Sequence, residues 1–381
     1  MRRSRPLPAT RVGCSNFFVR SKNPQISLYN ELMSRLARAL LPALAALLVA
    51  PAAHAYGWPV APFREQHPIR GYFGDPRTIY WDPLEPNRFP ENGEVSFHNG
   101  VDIVAAPGTA AYPVVSGLVR RSAGERVVVK AKDGRRFQYV HIEPTVGVGQ
   151  YVRAGETVLG HVTVLAEHVH LTELSTTGRA VDPLLPGHLD PYYDLTPPHV
   201  QAIQLRNSGG WELDPYNLRG GVVGVAQAFD DPAMAVPAPW DGLPVAPAFI
   251  RWSLQTGAGR VVKRSTSVDF RARLPRNDRF WRVYARGTYQ NHPRFAAHQY
   301  PGMPGRYLYR LGVLNTRSIR DGVYVLKVTA GDTRGNVGMR RQVVGICNHR
   351  RAPCERLEHE RGPWKGAGDQ RVSPTYPFFL S

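Results

Sequence analysis

The sequence is poor in the features that mark helical, repeat and disordered proteins. Its 381 residues show no convincing amphipathic helical pattern and no internal repeat, and 30 Asp+Glu stand against 48 Lys+Arg. The counts of 36 Gly and 34 Pro favour many short strands and turns over long helices. An apolar share of 43% and a charged share of 20% exclude global disorder, and the length suffices for two or three domains.

No segment beyond residue 55 is apolar enough to span a bilayer, but residues 33–55 contain an apolar run. Arg35 and Arg38 form a basic start, Leu40 to Val49 an apolar stretch, and Ala53-His54-Ala55 a small-x-small cleavage site. This order predicts a Sec-type signal peptide, and the run is short for a transmembrane helix.

Residues 1–32 precede Met33 and show no apolar periodicity. We interpret them as an upstream extension of the gene model, with an unusually long n-region as the alternative. Export would remove residues 1–55 and leave 40 Lys+Arg against 29 Asp+Glu, a net charge of +11. Such a protein suits an anionic polymer such as a bacterial wall, although codon bias toward Arg explains the composition equally well. Nucleic-acid binding fits poorly, because the Arg are dispersed and no recognised motif appears.

Two of the three Cys lie beyond the signal peptide. Cys347 and Cys354 close a short loop in a compartment that permits disulfides, which predicts a Cys347–Cys354 disulfide. A zinc site is less favoured there, because His349 is the only further ligand nearby.

Residues 56–190 are dense in short β runs and turns. The runs 127–131 and 137–141 flank Asp133-Gly134 and predict a β-hairpin. Residues 71–97 are Pro-rich and irregular, so we expect a long functional or capping loop.

A second β-rich region follows a boundary crowded with Pro and Tyr at 191–198. A clear strand at 322–328 leads into a turn at 332–336, in a pattern that resembles the closing hairpin of immunoglobulin- or fibronectin-like domains. We therefore predict a β-sandwich at 199–350 and a C-terminal tail at 351–381. The predicted fold class is mainly β, with a β-sheet domain followed by an antiparallel β-sandwich.

Histidine placement is the sharpest functional signal. His98 and Asp102 form an HxxxD element, and a fully extended chain would hold them too far apart to share one ion. The chain must therefore bend between them, and Gly100 permits that bend.

A second histidine element lies on a predicted strand. His168-Val169-His170 is an HxH element whose two imidazoles share one strand face, and His141 ends an earlier strand. Two His and one Asp leave a fourth tetrahedral position for water, which is the arrangement of a catalytic zinc. A further His on each side can serve as a base or as an oxyanion donor.

These elements also carry a family resemblance. Residues 67–190, about a third of the chain, resemble the lysostaphin-type or LytM-type zinc metallopeptidases. The matching segments are Arg70-Gly71-Tyr72-Phe73-Gly74, His98-x-Gly-x-Asp102-Ile103, Ala105-Ala106-Pro107-Gly108-Thr109, Ser116-Gly117, Tyr139-x-His141, Val148-Gly149-Gln150-x-Val152-x-x-Gly155, His168-x-His170 and Gly178-x-x-Val181-Asp182-Pro183.

The resemblance implies a lysostaphin-type metallopeptidase domain at 56–190 with Zn²⁺ as its cofactor. The implied roles are zinc ligand for His98, Asp102 and His170, and catalytic pair for His141 and His168. The implied activity is hydrolysis of peptide bonds in peptidoglycan stems or cross-bridges by a zinc-activated water. The protein would act in the extracellular space, in the cell wall or in the periplasm, with peptidoglycan as its partner.

Three departures from the family pattern bear on these expectations. Leu171 and Thr172 follow the HxH element where an aromatic residue and Glu are usual, and the acid arrives at Glu173. The loop between residues 74 and 98 is long, and we expect it to shape one wall of the cleft. The predicted mature chain starts at Tyr56, so we expect no sizeable pro-domain.

Two other functional classes compete with the peptidase. A catalytically silent wall-binding or amidase-activating protein of the same fold is one, but such relatives typically lack ligands and all five positions are filled here. A biotinyl- or lipoyl-type carrier is the other, suggested by 146–162, but the tip of that hairpin has no Lys. The C-terminal sandwich is expected to be a targeting or spacing module, and whether it contacts glycan, protein or neither stays open. His188 and His199 are expected to be solvated.

Overall fold

A computed structural model describes residues 55–78, 95–291 and 304–349. The predicted upstream extension, the signal peptide except Ala55, Cys354 and the tail at 351–381 lie outside the described residues. The signal peptide and the Cys347–Cys354 disulfide therefore stay predictions. Among the described helices, none has the length and apolar character required to span a bilayer.

The described chain consists mainly of short antiparallel strands, as the Gly and Pro content predicts. The N-terminal strands are β1 (Ile69–Gly71), β2 (Pro76–Arg77), β3 (Ser96–Phe97), β4 (Val101–Val104), β5 (Ala110–Ala111), β6 (Gly117–Ser122), β7 (Arg126–Ala131), β8 (Arg136–Val140), β9 (Ile142–Pro144), β10 (Tyr151–Val152), β11 (Gly160–Val162), β12 (His168–Leu174) and β13 (Ala180–Val181). The C-terminal strands are β14 (His199–Arg206), β15 (Gly221–Phe229), β16 (Phe249–Thr256), β17 (Val261–Asp269), β18 (Leu308–Asn315), β19 (Gly322–Gly331) and β20 (Val337–Ile346). Helical turns are found at Asn277–Arg279, Phe280–Val283 and Thr316–Ser318.

The N-terminal strands form one main sheet with β12 near its centre. The order is β1-β4-β12-β8-β7-β6-β10, with β13 also paired to β12, and a small sheet β5-β11-β9 lies beside it. Val169 and Leu171 on β12 are fully buried, together with Ile103 on β4 and Tyr139 on β8. Apolar burial of this strand holds its histidines in a fixed register.

The C-terminal strands form an antiparallel sandwich. A three-stranded sheet, β14-β15-β18, and a four-stranded sheet, β17-β16-β19-β20, share one apolar core. Trp252 of β16 packs in this core, and its Nε1 donates to the carbonyl of Leu311 on β18, 2.5 Å away. The predicted fold class, mainly β with a β-sheet domain followed by an antiparallel β-sandwich, is confirmed.

The segment before the HxxxD element is anchored in the sandwich core. Phe73 and Phe97 pack in the core that both sandwich sheets share, and the hydroxyl of Tyr284 donates to the carbonyl of Gly74, 2.7 Å away. Residues 71–97 are thus not uniformly irregular, because β2 and β3 pair at both ends of the part that the structure leaves undescribed. All described residues fall within one compact unit, and the predicted boundary at 191–198 stays a prediction.

Candidate metal centre

Strand register brings the HxxxD and HxH elements together. His98 follows β3, Asp102 lies on β4, and His170 of β12 pairs directly with Asp102. A Cβ on Gly100 would lie 2.3 Å from the carbonyl oxygen of Leu171. Glycine is required there by the close approach of β12, and not for a positive φ, since Gly100 does not have one.

Three ligand-type atoms converge in a nearly equilateral triangle. His98 Nε2 lies 3.0 Å from Asp102 Oδ1 and 2.9 Å from His170 Nδ1, and the third side is 2.9 Å. Zinc bonds of about 2.0–2.1 Å in a tetrahedron separate ligand atoms by about 3.3 Å. The spacing and the donor set of two imidazoles and one carboxylate therefore fit a zinc ion.

Hydrogen bonds on the far side of each imidazole orient its electron pair toward the triangle. His98 Nδ1 donates to the carbonyl of Tyr72 at 2.8 Å, so its Nε2 carries the lone pair. His170 Nε2 lies 2.8 Å from Thr172 Oγ1, and donation in that direction leaves a lone pair on Nδ1. Burial lowers the pKa of His98 to about 3, so this ring is neutral at pH 7.

The second carboxylate oxygen of Asp102 is held by an arginine. Arg77 Nη2 donates to Asp102 Oδ2 at 2.6 Å, and a Cβ on Gly71 would lie 2.7 Å from that oxygen. Burial by itself raises the pKa of Asp102, but His98, His168 and Arg77 together hold it well below its usual range. Asp102 is therefore ionised, as a metal ligand must be.

His141 and His168 stand beside the triangle as a pair. Their ring centroids are 4.5 Å apart, and His168 Nε2 lies 3.4 Å from Asp102 Oδ1. His168 Nδ1 lies 2.6 Å from the carbonyl of Ala166 and 2.7 Å from Arg70 Nη2. The five predicted site residues therefore meet in one place.

His141 is not part of the strand to which the sequence assigned it. Strand β8 ends at Val140, and His141 adopts a φ of 66°, a strained value for a residue with a side chain. Phe137 and Tyr139 are fully buried, whereas the His141 side chain is 37% exposed. Alternation alone would place all three on one face, so the turn at His141 is what brings its ring to the pocket.

A cavity of about 290 Å³ opens over these residues, and part of its wall comes from the C-terminal region. Its lining comprises Arg70, Arg77, His98, Asp102, His141, His168, His170, Trp240, Gln290 and Asn291. The guanidinium carbon of Arg70 lies 3.8 Å from the ring centroid of Trp240. The backbone of Thr78 donates to Gln290 Oε1 at 2.7 Å, which ties the two regions together.

Four residues that line the cavity or contact the site residues were not predicted from the sequence: Arg70, Arg77, Thr172 and Trp240. Arg70 and Thr172 lie within or beside the family motifs, so the motifs could have identified them. Trp240 lies in a loop 70 residues after the HxH element, and no local pattern connects them.

Glu173 lies in a buried hydrogen-bond network, apart from the triangle of ligand atoms. It is 1% exposed and accepts hydrogen bonds from Tyr56 Oη at 2.6 Å, His188 Nδ1 at 2.7 Å and Arg135 Nη1 at 3.0 Å. The expectation that His188 is solvated is wrong, because its ring packs against this buried carboxylate. His199 is exposed, as expected, and contacts Asp231.

Several solved structures are similar to parts of this chain. The SpoIIQ–SpoIIIAH pore-forming complex matches at 19% identity and a TM-score of 0.27, over 35% of this chain and 90% of that one. A zinc-containing peptidase from Vibrio cholerae matches at 23% identity and a TM-score of 0.26, over 34% of this chain and 39% of that one. The catalytic domain of the prophage-encoded M23 protein EnpA from Enterococcus faecalis matches at 28% identity and a TM-score of 0.20, over 23% of this chain and 77% of that one.

Sequence comparison identifies the family of the β4–β12 region. No curated protein shows a significant match to the chain. Residues 96–183 match the model described as Peptidase family M23, and this range contains both histidine elements and His141. The resemblance expected from the motifs is confirmed, and the chain carries a peptidase family M23 domain at residues 96–183.

Proposed function

We propose that this protein is an exported zinc-dependent endopeptidase that hydrolyses peptide bonds in peptidoglycan stems or cross-bridges. The convergence of His98 Nε2, Asp102 Oδ1 and His170 Nδ1 within 3.0 Å of one another, inside an M23 domain, carries the proposal. These three residues would hold Zn²⁺. Bound zinc supplies Lewis-acid polarisation of a carbonyl and a water of lowered pKa.

His141 is suited to accept a proton. Burial and the neighbouring His168 lower its pKa, so the ring is neutral at pH 7. Its Nδ1 faces Glu125 Oε2 at 3.5 Å, which leaves Nε2 as the proton acceptor on the pocket side.

His168 and Arg70 are suited to stabilise negative charge on the scissile carbonyl. Arg70 Nη2 donates to His168 Nδ1 at 2.7 Å, so the ring proton is on Nε2, the nitrogen nearer Asp102 and available as a donor. Burial lowers the pKa of Arg70 to about 10, so its guanidinium stays charged at pH 7. Preorganised donors of this kind act strongly where water is excluded.

Export and wall binding belong to the same proposal. The signal peptide would deliver the domain to the extracellular space, the wall or the periplasm, where peptidoglycan is found. The net charge of +11 after its removal favours contact with an anionic polymer.

The decisive test compares zinc content with hydrolysis. The chain expressed from Tyr56 is expected to bind one zinc and to release amines from purified peptidoglycan. His168→Ala is expected to keep the zinc and lose about 100- to 10,000-fold of the rate, because it removes a group that acts on the reacting atoms.

His161→Ala is the matched control, because His161 is an exposed histidine on β11, a strand of the small sheet. Failure of the chain to take up supplied zinc would contradict the metalloenzyme. Zinc uptake without hydrolysis of several wall types would instead support the wall-binding alternative.

The position of Trp240 in the lining of the cavity leads to a further prediction. Trp240→Ala is expected to lower kcat/KM for peptidoglycan about 10-fold through a higher KM, because it removes a cation–π contact to Arg70 and part of the cleft. Zinc content should not change, because Trp240 is not one of the three residues whose donor atoms form the triangle. Trp211→Ala is the control, because Trp211 is not part of the lining of this cavity. Equal losses of kcat/KM in the two variants would refute a role for Trp240 in substrate binding.

A further inference from the structure

Three buried carboxylates meet outside the M23 site. Asp194 lies in the predicted boundary segment 191–198, Asp230 follows β15, and Asp332 begins the turn between β19 and β20. One oxygen of each lies within 4.8 Å of the other two, and all three residues are buried. Among the described residues, none of the three forms a salt bridge with a basic side chain. Buried charges without such compensation are costly.

The hydrogen-bond donors around the cluster are unevenly distributed. Asp332 Oδ1 accepts from the backbone N–H groups of residues 334, 335 and 336, and Asp332 Oδ2 from the Asn336 amide at 2.6 Å. Asp194 accepts from Thr196 N at 3.0 Å and Tyr192 Oη at 3.1 Å. Burial raises the pKa of Asp194, and the hydrogen bonds from Thr196 and Tyr192 oppose that rise.

Asp230 is the exception and points to a missing partner. Its side chain is 0% exposed, and Oδ1 accepts one bond from the backbone of Asp231. Oδ2 has no hydrogen-bond partner among the described residues, although it lies in a cluster with two other carboxylates. A buried oxygen left in this way calls for a cation or a proton.

We propose that Asp194, Asp230 and Asp332 bind a divalent cation, Ca²⁺, at a site separate from the histidine centre. The ligands are all oxygens, which Ca²⁺ prefers and zinc does not. The ion would join the boundary segment, β15 and the β19–β20 turn.

The proposed calcium site is linked to the histidine centre through two tyrosines. The Tyr192 hydroxyl contacts both Asp194 Oδ2 and the Tyr72 hydroxyl, and the Tyr72 carbonyl orients His98. Calcium would therefore stabilise the segment that holds one proposed zinc ligand.

The test measures Ca²⁺ binding directly on the zinc-loaded full mature chain. We expect one Ca²⁺ per chain with a dissociation constant at or below about 1 mM, the range of extracellular calcium modules. The midpoint of thermal unfolding should rise with Ca²⁺ concentration, because an ion that binds only the folded state stabilises it. Asp230→Asn should abolish both effects while zinc content is retained.

Asp231→Asn is the matched control, because it makes the same change one residue along at an exposed position. If Asp230→Asn does not fold, Asp194→Asn and the Ca²⁺ titration of the unmodified chain provide the same readout. The absence of Ca²⁺ binding at 10-fold above the expected range, or an Asp230→Asn chain with unchanged Ca²⁺ dependence, would overturn the proposal. A shared proton in place of the ion would show itself as an unmodified chain with no response to Ca²⁺ and an Asp230→Asn chain of equal or higher stability, and this result would also overturn the proposal.

Discussion

Replacing His170 by alanine is expected to release the zinc and abolish peptidoglycan hydrolysis. His170 supplies one of three converging donor atoms, and the other two cannot close a tetrahedral site without it. We expect zinc affinity to fall by more than about 100-fold, since even the loss of a residue that only supports a ligand costs 10- to 100-fold. Zinc content by metal analysis and rate of amine release are the two measurements.

Thr172→Val provides a graded companion to that experiment. It keeps the shape of a fully buried side chain but removes the hydroxyl 2.8 Å from His170 Nε2. Zinc affinity should fall by about 10- to 100-fold, because the imidazole loses the bond that sets its tautomer. His161→Ala should leave zinc binding unchanged. A His170→Ala chain with a full complement of zinc would exclude His170 as a ligand.

Replacing Glu173 by leucine is expected to lower the free energy of unfolding by about 3–5 kcal/mol. The substitution removes the common acceptor of Tyr56, Arg135 and His188, a carboxylate whose side chain is only 1% exposed. A guanidinium and two further donors would then be left without their buried partner. Urea unfolding of the zinc-loaded chain at pH 7 measures the loss, with Glu156→Leu at an exposed position as the control.

The same carboxylate makes a prediction about acid stability. Burial by itself raises the pKa of Glu173, but hydrogen bonds from His188, Tyr56 and Arg135 bring it below its usual value. A lowered folded-state pKa contributes stability above the unfolded-state pKa of about 4.3 and loses it as the pH falls through the folded-state value. Glu173→Gln should therefore lose less stability than the unmodified chain between pH 5 and pH 3. Equal acid sensitivity in both chains would show that Glu173 does not contribute.

Much of the candidate site could be predicted because its elements are local in sequence. The HxH spacing places His168 and His170 on one strand face, and β12 shows that placement. Prediction was less successful at His141, where alternation implies a shared face with Tyr139 and the chain turns through a positive φ. It also could not place Glu173, because an acid beside a histidine motif has the same sequence signature whether it faces the pocket or the core.

The mainly β architecture, the order of the two β regions and the residue types that can bind a metal could all be predicted from local sequence patterns. These depend on alternation, turn residues and spacings of two to four positions, which short-range backbone geometry controls. Three features became visible only in the folded chain. Arg77 holds Asp102, Trp240 forms part of the cavity wall, and Asp194, Asp230 and Asp332 lie together. Such contacts join residues 25 to more than 100 positions apart, so they arise from the packing of the sheets and not from any local pattern.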